Sequence, residues 1–155
     1  EKKIINLLKR YNNIGLAEIS FIGLNYFKKL CKYIYKNKGL IILIDYGYEI
    51  SLKNFTLQTV SNNKITHIFD NLGKQDISSL VNFGELIRIT KQHKLKILSF
   101  CNQREFLINN GIKERKNKLI KNLPKKQIDL INQQFHRLTE KKMMGENFKF
   151  LIVSS

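Results

Sequence analysis

The stretch Gly39-Leu-Ile-Ile-Leu-Ile-Asp45 decides the fold that this sequence predicts. Its apolar run is uninterrupted and has the length of one strand. A strand without alternating polar positions is typical of a parallel sheet that helices cover on both faces. We therefore predict a strand buried on both faces, which ends at Asp45-Tyr46-Gly47-Tyr48.

Regular elements are predicted on both sides of this strand. Before it, residues 23–37 predict an amphipathic helix with Ser20 as a plausible cap, because apolar residues recur at steps of three and four. Its apolar positions are Leu24, Phe27, Leu30, Cys31 and Ile34. After the strand we predict an extended piece at 56–60, a turn at 62–64 and an irregular stretch at 71–79. A helix at 83–93, capped by Asn82, and a strand at 95–100 follow. The rest of the chain predicts small helices at 104–109, 112–121 and 124–137, a turn capped by Thr139 that stops at Gly145, and a final strand at 148–154. The first ten residues fit either a helix or a strand.

This alternation of helices and strands indicates an α/β layer fold. Three strands alone leave edges and an apolar face uncovered, so the pattern fits part of a larger sheet. We predict a single partial domain: a helical lead-in over residues 1–37, a strand–loop–helix–strand unit over 38–100, and a helical insertion with a final strand over 101–155. Because the chain opens with Glu1 rather than Met, we expect the front of a longer protein to be missing.

The charge balance is strongly basic, with 28 Lys+Arg against 12 Asp+Glu and a net charge of +16. Such a charge attracts polyanions, so one hypothesis is a small basic module for nucleic acid, with Tyr33 and Tyr35 beside lysines. The alternative is a solvated lysine-rich surface, since the lysines are scattered over several predicted elements. A third hypothesis is an interaction role for a truncated fold whose sheet edge seeks a partner.

Several other classes of site and segment are excluded by pattern. Cys31 and Cys101 have no CxxC partner, and the histidines form no metal-binding spacing, so we predict no metal site. The longest apolar run, residues 40–44, is too short to span a membrane. No GxGxxG, Walker or nucleophile-elbow sequence occurs.

The residues at the carboxyl end of the apolar strand are the candidate site. In open parallel sheets, ligands bind beyond the carboxyl ends of the strands. Asp45 offers a carboxylate at such an end, and Gly47 allows a tight turn or the close approach of a ligand.

Motifs in a fixed order are similar to those of the C-terminal region of the MidA family. The segment GLIILIDYG at 39–47 resembles that family's strand and turn, G-x-x-L-x-I-D-Y-G. The other matching segments are EIS at 18–20, TLQTV at 56–60, GKQDIS at 73–78, VNF at 81–83, NQ with FL and GI between 102 and 112, and MGENFKF at 144–150. The family has an aspartate where this chain has Asn82, and an amide keeps the capping role but not the charge.

The resemblance implies a fold and a function. MidA proteins are class I S-adenosylmethionine-dependent methyltransferases linked to mitochondrial respiratory complex I assembly, with bacterial relatives. It implies the C-terminal half of a Rossmann-like methyltransferase fold, with strands five to seven, the last antiparallel between the other two, plus small helices. The full protein would methylate a protein side chain, an arginine nitrogen, in the cytoplasm of a bacterium or in the mitochondrial matrix of a eukaryote.

The family's cofactor motifs do not occur in these 155 residues, neither E-x-G-x-G-x-G nor N-E-x-x-D-A. We therefore expect S-adenosylmethionine to bind the full-length family members and not this chain alone, which would be inactive by itself. The implied partners are a protein substrate and the missing N-terminal half. A truncated, a split and a decaying gene all fit the sequence.

The resemblance assigns the substrate side to this chain. The first candidates are Asp45, Tyr46, Gly47 and Tyr48. Asp76 and Ser78, on the long loop, are the second candidates, while Gln103 and Gly145 are expected to be structural.

Overall fold

The structure, a computed structural model, describes Leu16 and residues 18–50, 52, 54–70 and 72–155. The prediction for the first ten residues lies outside this part of the chain. The elements in chain order are α1 (Phe21–Asn37), β1 (Leu40–Tyr48), β2 (Gln58–Ser61), β3 (Lys64–Thr66), β4 (Asp76–Ser78), β5 (Val81–Asn82), α2 (Phe83–Gln92), β6 (Lys96–Asn102), α3 (Gln103–Asn109), α4 (Ile112–Leu119), α5 (Lys125–Thr139), a π-helical turn (Lys141–Gly145) and β7 (Phe148–Ser154).

The main sheet has the strand order β5-β1-β7-β6. β7 runs antiparallel to β1 on one side and to β6 on the other. This arrangement confirms the prediction that the last strand lies antiparallel between the other two. β5 is parallel to β1 and extends the sheet by only two residue pairs.

A second, smaller sheet has the order β3-β2-β4. The sequence predicted only one extended piece here, and the prediction of an irregular stretch at 71–79 is wrong for β4. Asn62 and Asn63 both have positive φ values, 50° and 59°, and join β2 to β3 in a tight hairpin. β4 is exposed at all three residues, so its sequence carries no apolar signal for a strand.

The core lies on one face of the main sheet. α1 contributes Phe27, Cys31 and Ile34, and α2 contributes Phe83, Leu86 and Ile89. These side chains pack against Leu151 and Val153 of β7, which are fully buried. Burial raises the pKa of the Cys31 thiol to about 11, as expected for a core cysteine.

The opposite face of the sheet is largely open. Four apolar side chains of β1 lie on it, with exposed fractions of 51%, 52%, 52% and 42%: Leu40, Ile42, Ile44 and Tyr46. We call these four residues the open face. The prediction of a strand buried on both faces is therefore wrong, because α1 and α2 both pack on the other face. Of the described helices, α3 reaches the open side, where Phe106 stacks on Phe150 with ring centroids 4.2 Å apart.

The helix ends show which of the caps predicted from the sequence are correct. Ser20 and Asn82 cap α1 and α2 as predicted, each accepting a hydrogen bond from a backbone N–H three residues on. The predicted cap at Thr139 is wrong. Its hydroxyl donates to the carbonyl of Phe135, so Thr139 belongs to the last turn of α5, while Glu140 is the N-cap of the π-helical turn.

Because the core lies on one face of the sheet, we predict that two similar truncations lower the free energy of unfolding by different amounts. Leu151→Ala should lower the free energy of unfolding by about 2–5 kcal/mol, since it removes a fully buried side chain. Ile42→Ala should cost less than about 1 kcal/mol in this chain alone, because that side chain is half exposed. Urea denaturation of both variants measures the difference, and equal costs would contradict the one-sided core.

Candidate functional site

β1 ends at Tyr48, within the segment 45–48 where the sequence placed the strand's end. Gly47 and Tyr48 pair in parallel with Val81 and Asn82. A Cβ on Gly47 would lie 2.4 Å from the Val81 carbonyl oxygen and 2.5 Å from Cδ2 of Phe83. Glycine is therefore required at 47 by the close approach of β5 and α2.

The first three of the predicted site residues lie in different local environments. Asp45 is exposed, and its carboxylate accepts a hydrogen bond of 2.8 Å from the Tyr46 backbone N–H. Tyr46 stacks on Phe148 of β7, with ring centroids 3.9 Å apart. Because side chains alternate along a strand, Asp45 and Tyr46 point to opposite faces of the sheet. The structure therefore brings the residues to one strand end without gathering them into one cluster.

Tyr48 is the predicted site residue with the most polar contacts. Its hydroxyl lies 3.5 Å from the Glu18 carbonyl oxygen, to which it donates, and it also contacts the Asn82 side chain. Partial burial raises the pKa of Tyr48, and the nearby carboxylates of Glu18 and Glu85 act in the same direction. Tyr48 therefore stays protonated at neutral pH and serves as a hydrogen-bonding group.

Glu18 holds the loop after β1 and is a residue that the sequence-based site list missed. Its carboxylate accepts hydrogen bonds from the backbone N–H groups of Thr56, at 2.7 Å, and Leu57, at 3.0 Å. It also accepts from the Thr56 hydroxyl, whose oxygen accepts in turn from the Leu80 backbone N–H at 2.9 Å. Glu18 thus holds the segment at 56–57 directly and is linked to Leu80 through the Thr56 hydroxyl. The signal was present in the EIS and TLQTV segments, but nothing in the sequence shows that they touch.

The hydrogen bonds to Glu18 decide its charge state. Partial burial alone raises the pKa of this carboxyl, but the hydrogen bonds from Thr56 and Leu57 outweigh burial, so the pKa lies below its ordinary value. Glu18 is therefore ionised at neutral pH.

The second candidates, Asp76 and Ser78, lie on β4 in the smaller sheet. Asp76 is opposite Val60 and Ser78 is opposite Gln58, and both side chains are exposed. The structure therefore places them in a different sheet from the residues at 45–48. Gln103 and Gly145 have structural contacts: Gln103 donates to the Leu138 carbonyl oxygen at 2.8 Å, and a Cβ on Gly145 would lie 2.6 Å from the Thr139 carbonyl oxygen.

A cavity of about 610 Å³ lies beside β1. It is lined mainly by apolar side chains from α1, β1, β5, α2 and the loop at 55–57. The two carboxylates at its wall already have partners. Glu18 accepts hydrogen bonds from Thr56, and Glu85 pairs with Arg88, whose Nη2 lies 2.6 Å from the Glu85 carboxylate oxygen. The cavity accommodates apolar groups and offers neither acid as a free general base.

The rest of the described chain offers neither a metal site nor a membrane-spanning helix. Within the residues that the structure describes, no group of three or more His, Cys, Asp or Glu side chains could hold a metal ion. No described helix has both the length and the apolar character to cross a membrane. The lysines lie on separate elements such as α1, α4 and α5. The nucleic-acid hypothesis stays a prediction.

Two solved structures from Burkholderia thailandensis share this fold. An uncharacterized COG1565 superfamily protein matches 95% of this chain and 42% of its own, with a TM-score of 0.83 and 21% identity. A COG1565 superfamily member bound to S-adenosyl-homocysteine matches 95% and 40%, with a TM-score of 0.78 and 20% identity. The described elements therefore form part of a Rossmann-like methyltransferase fold, which confirms the predicted fold class.

Residues 2–101 match the family described as "Putative S-adenosyl-L-methionine-dependent methyltransferase". The chain belongs to this family, which confirms the resemblance drawn from its motifs. It is 32% identical over 82 residues to the Caenorhabditis elegans "Protein arginine methyltransferase NDUFAF7 homolog, mitochondrial", a match covering 53% of this chain and 19% of that protein. The Danio rerio "Protein arginine methyltransferase NDUFAF7, mitochondrial" is 28% identical over 127 residues, 81% of this chain and 29% of that protein. The chain thus spans less than a third of these curated relatives.

Because Gly47 is closely packed, we predict that alanine substitution destabilises the protein much more at Gly47 than at Gly39. Gly47→Ala should lower the free energy of unfolding by about 1–3 kcal/mol or more, because its Cβ overlaps the backbone of β5 and the ring of Phe83. Gly39→Ala is the control, since its Cβ would meet Ile34 at an ordinary 3.4 Å. Thermal denaturation measures both, and a melting temperature unchanged by Gly47→Ala would contradict the packing.

The Glu18 contacts predict a pH-dependent contribution to stability. The folded-state pKa is depressed from 4.5, so the contribution is present above that value and is lost as pH falls through the folded pKa. Glu18→Gln should cost about 1 kcal/mol at pH 7. The cost should shrink as the pH falls through the folded-state pKa of Glu18, where the wild-type carboxyl also becomes neutral.

Melting temperatures of wild type and Glu18→Gln between pH 3 and pH 7 test this dependence, with the exposed Glu49→Gln as a control. A cost that does not change with pH would mean that ionisation of Glu18 contributes nothing to holding the loop.

Proposed function

We propose that this chain forms the substrate side of an S-adenosylmethionine-dependent protein arginine methyltransferase that acts in respiratory complex I assembly. The observation that carries the proposal is the match of residues 2–101 to the methyltransferase family, together with the Asp45-Tyr46-Gly47 end of β1. The names of the two relatives support an arginine substrate and a mitochondrial location. In a eukaryote the chain would act in the matrix, and in a bacterium it would act in the cytoplasm.

The described residues do not fit S-adenosylmethionine by themselves. The sequence has no glycine-rich turn after a strand, and the cavity beside β1 has an apolar lining whose two carboxylates are engaged. We therefore derive no step through the cofactor on this chain. When bound to its own half of the domain, the cofactor supplies the methyl group.

The residues of this chain fit the reception of a guanidinium group. Asp45 presents an exposed carboxylate at the end of β1, and a carboxylate can pair with arginine through two parallel hydrogen bonds. Tyr46 lies on the opposite face of the strand, where its ring stacks on Phe148, so it does not share the guanidinium with Asp45. We assign Asp45 to pairing with the substrate, Tyr46 and Tyr48 to lining its path, and Asp76 and Ser78 to a second contact on the smaller sheet.

For an arginine held in this way, this chain would supply the positioning of the nitrogen and the stabilisation of its charge, and both are tasks of binding residues.

The isolated chain should neither bind S-adenosylmethionine nor catalyse methyl transfer. Isothermal titration of the purified 155-residue chain with the cofactor measures this directly. Micromolar affinity of the chain alone would contradict the assignment of the cofactor site to another half of the domain.

Substitution of the proposed substrate carboxylate tests the function itself. In the protein purified from its native cells with its associated polypeptides, Asp45→Asn should lower methyl transfer to protein about 10–100-fold, since a charge-assisted pair is lost. Asp129→Asn, an exposed acid on α5, is the matched control. The measurement is incorporation of labelled methyl groups followed by analysis for methylarginine. Equal activity of both variants would remove Asp45 from the site, and no methylarginine would remove the arginine substrate.

A further inference from the structure

The helices α4 and α5 and the turn between them carry the densest positive charge of the described chain. Residues 113–126 hold seven of the 28 basic side chains and a single acid, Glu114. All but one of the seven are exposed, and none pairs with a carboxylate in the part of the chain that the structure describes. We call this unit the basic hairpin, and its cationic residues are Lys113, Arg115, Lys116, Lys118, Lys121, Lys125 and Lys126.

The fold joins these lysines into one surface. Asn122, with a φ of 63°, lies in the turn, and Pro124 is the N-cap of α5. The Lys116 ammonium lies 4.7 Å from the centroid of the Phe135 ring, a contact that holds α4 against α5. The hairpin follows β6, which lies at the opposite end of the main sheet from β5. Its charge is therefore separate from the carboxyl end of β1.

The stability of the fold does not explain this charge. No side chain of α4 is buried, so packing in the core places no demand on its sequence. The first turn of α5 has no acidic residue and holds Lys125 and Lys126, at the helix end where the macrodipole disfavours cations. Repulsion among the seven cations opposes folding as well. A charge that costs stability indicates a role in binding.

Exposed leucines lie among the lysines of the basic hairpin. Leu119, 47% exposed, stands between Lys118 and Lys121 in the sequence. Leu130, 53% exposed, lies one helical turn after Lys126 and so shares its side of α5. Lysines around exposed leucines are typical of helices that lie on membranes containing anionic lipids.

We propose that the basic hairpin binds the surface of a membrane that contains anionic phospholipids. The ammonium groups would contact lipid phosphates, while Leu119 and Leu130 would enter the boundary between the headgroups and the acyl chains. Binding of this kind is peripheral and needs no membrane-spanning helix.

Other polyanions fit the basic hairpin less well. Single-stranded RNA stacks its bases on exposed aromatic rings, but Phe135, the one Phe, Tyr or Trp of α4 and α5, lies under Lys116. Interfaces with folded proteins are depleted in lysine, and directed pairing with carboxylates favours arginine. Six of the seven cations here are lysines, which suits the diffuse charge of a lipid surface.

Flotation with lipid vesicles tests the proposal, using the protein purified from its native cells with its associated polypeptides. We expect binding to vesicles of phosphatidylcholine with about 30% phosphatidylglycerol, and none to phosphatidylcholine alone. Binding should weaken as salt is raised, because salt screens exposed charges. Equal binding to both kinds of vesicle, or to neither, would overturn the proposal.

Two variants with the same net charge separate the basic hairpin from the charge of the whole chain. The hairpin variant replaces three exposed lysines: Lys121→Gln, Lys125→Gln and Lys126→Gln. The control replaces three exposed lysines of α1: Lys29→Gln, Lys32→Gln and Lys36→Gln. The hairpin variant should bind the anionic vesicles about tenfold or more weakly, and the control should bind like wild type. Equal losses in both variants would attribute binding to the net charge of +16 and overturn the proposal.

Two further measurements complete the test. The melting temperature of the hairpin variant should not fall, since its three lysines are exposed and unpaired among the described residues. Leu119→Ser should weaken vesicle binding several-fold, because an inserted apolar side chain is lost. Polyuridine or polyglutamate that binds wild type more tightly than the anionic vesicles do, and loses that affinity in the hairpin variant, would assign the surface to nucleic acid or to an acidic protein instead.

Discussion

The antiparallel pairing of β1 with β7 is the interaction on which the rest of the structure depends. Seven successive residue pairs, from Leu40–Ser154 to Tyr46–Phe148, join the early strand to the last one in the sequence. Gly39 and Ser155 extend the ladder by two further hydrogen bonds of 3.2 Å. Because β7 also pairs with β6, it fixes the register of both neighbours, and the core side chains Leu151 and Val153 come from this same strand. Contacts so distant in sequence form only after costly loop closure, so the sheet must be stabilised mainly by burial on its covered face.

That burial is one-sided, and the asymmetry follows from where the helices attach. α1 precedes β1 and α2 precedes β6, and both pack on the same face of the sheet. On the other face, α3 protects β7 near Phe150, while β1 keeps a row of apolar side chains exposed. The run from Leu40 to Ile44 is apolar at every position, a pattern typical of a strand buried on both faces, yet the described residues cover only one of its faces.

Local signals in the sequence predicted the elements well, and tertiary relations poorly. The periodicity of α1 and α2, and their caps at Ser20 and Asn82, depend on neighbours within a few residues and were predicted correctly. The antiparallel placement of β7 came from the family resemblance. Strand β4 was missed because its residues are all exposed, and the burial of both faces of β1 was predicted wrongly because exposure depends on what lies opposite. For the candidate site, Asp45 to Tyr48 were predicted from their position at a strand end, and their role stays a prediction. Glu18 was missed because its partners are 38 and 39 residues away.

The Glu18 contacts also give a physical reason for two of the segments that first indicated the family. The acid of the EIS segment and the threonine of the TLQTV segment form one hydrogen-bonded unit, and the Thr56 hydroxyl passes the connection on to Leu80, just before β5. This unit closes the loop that leaves the carboxyl end of β1 and brings it back beside Gly47 and Tyr48. Asn82 supports this arrangement, since its amide caps α2 and contacts Tyr48 without needing a charge. The carboxyl end of β1 therefore keeps its shape through hydrogen bonds that do not depend on a carboxylate at position 82.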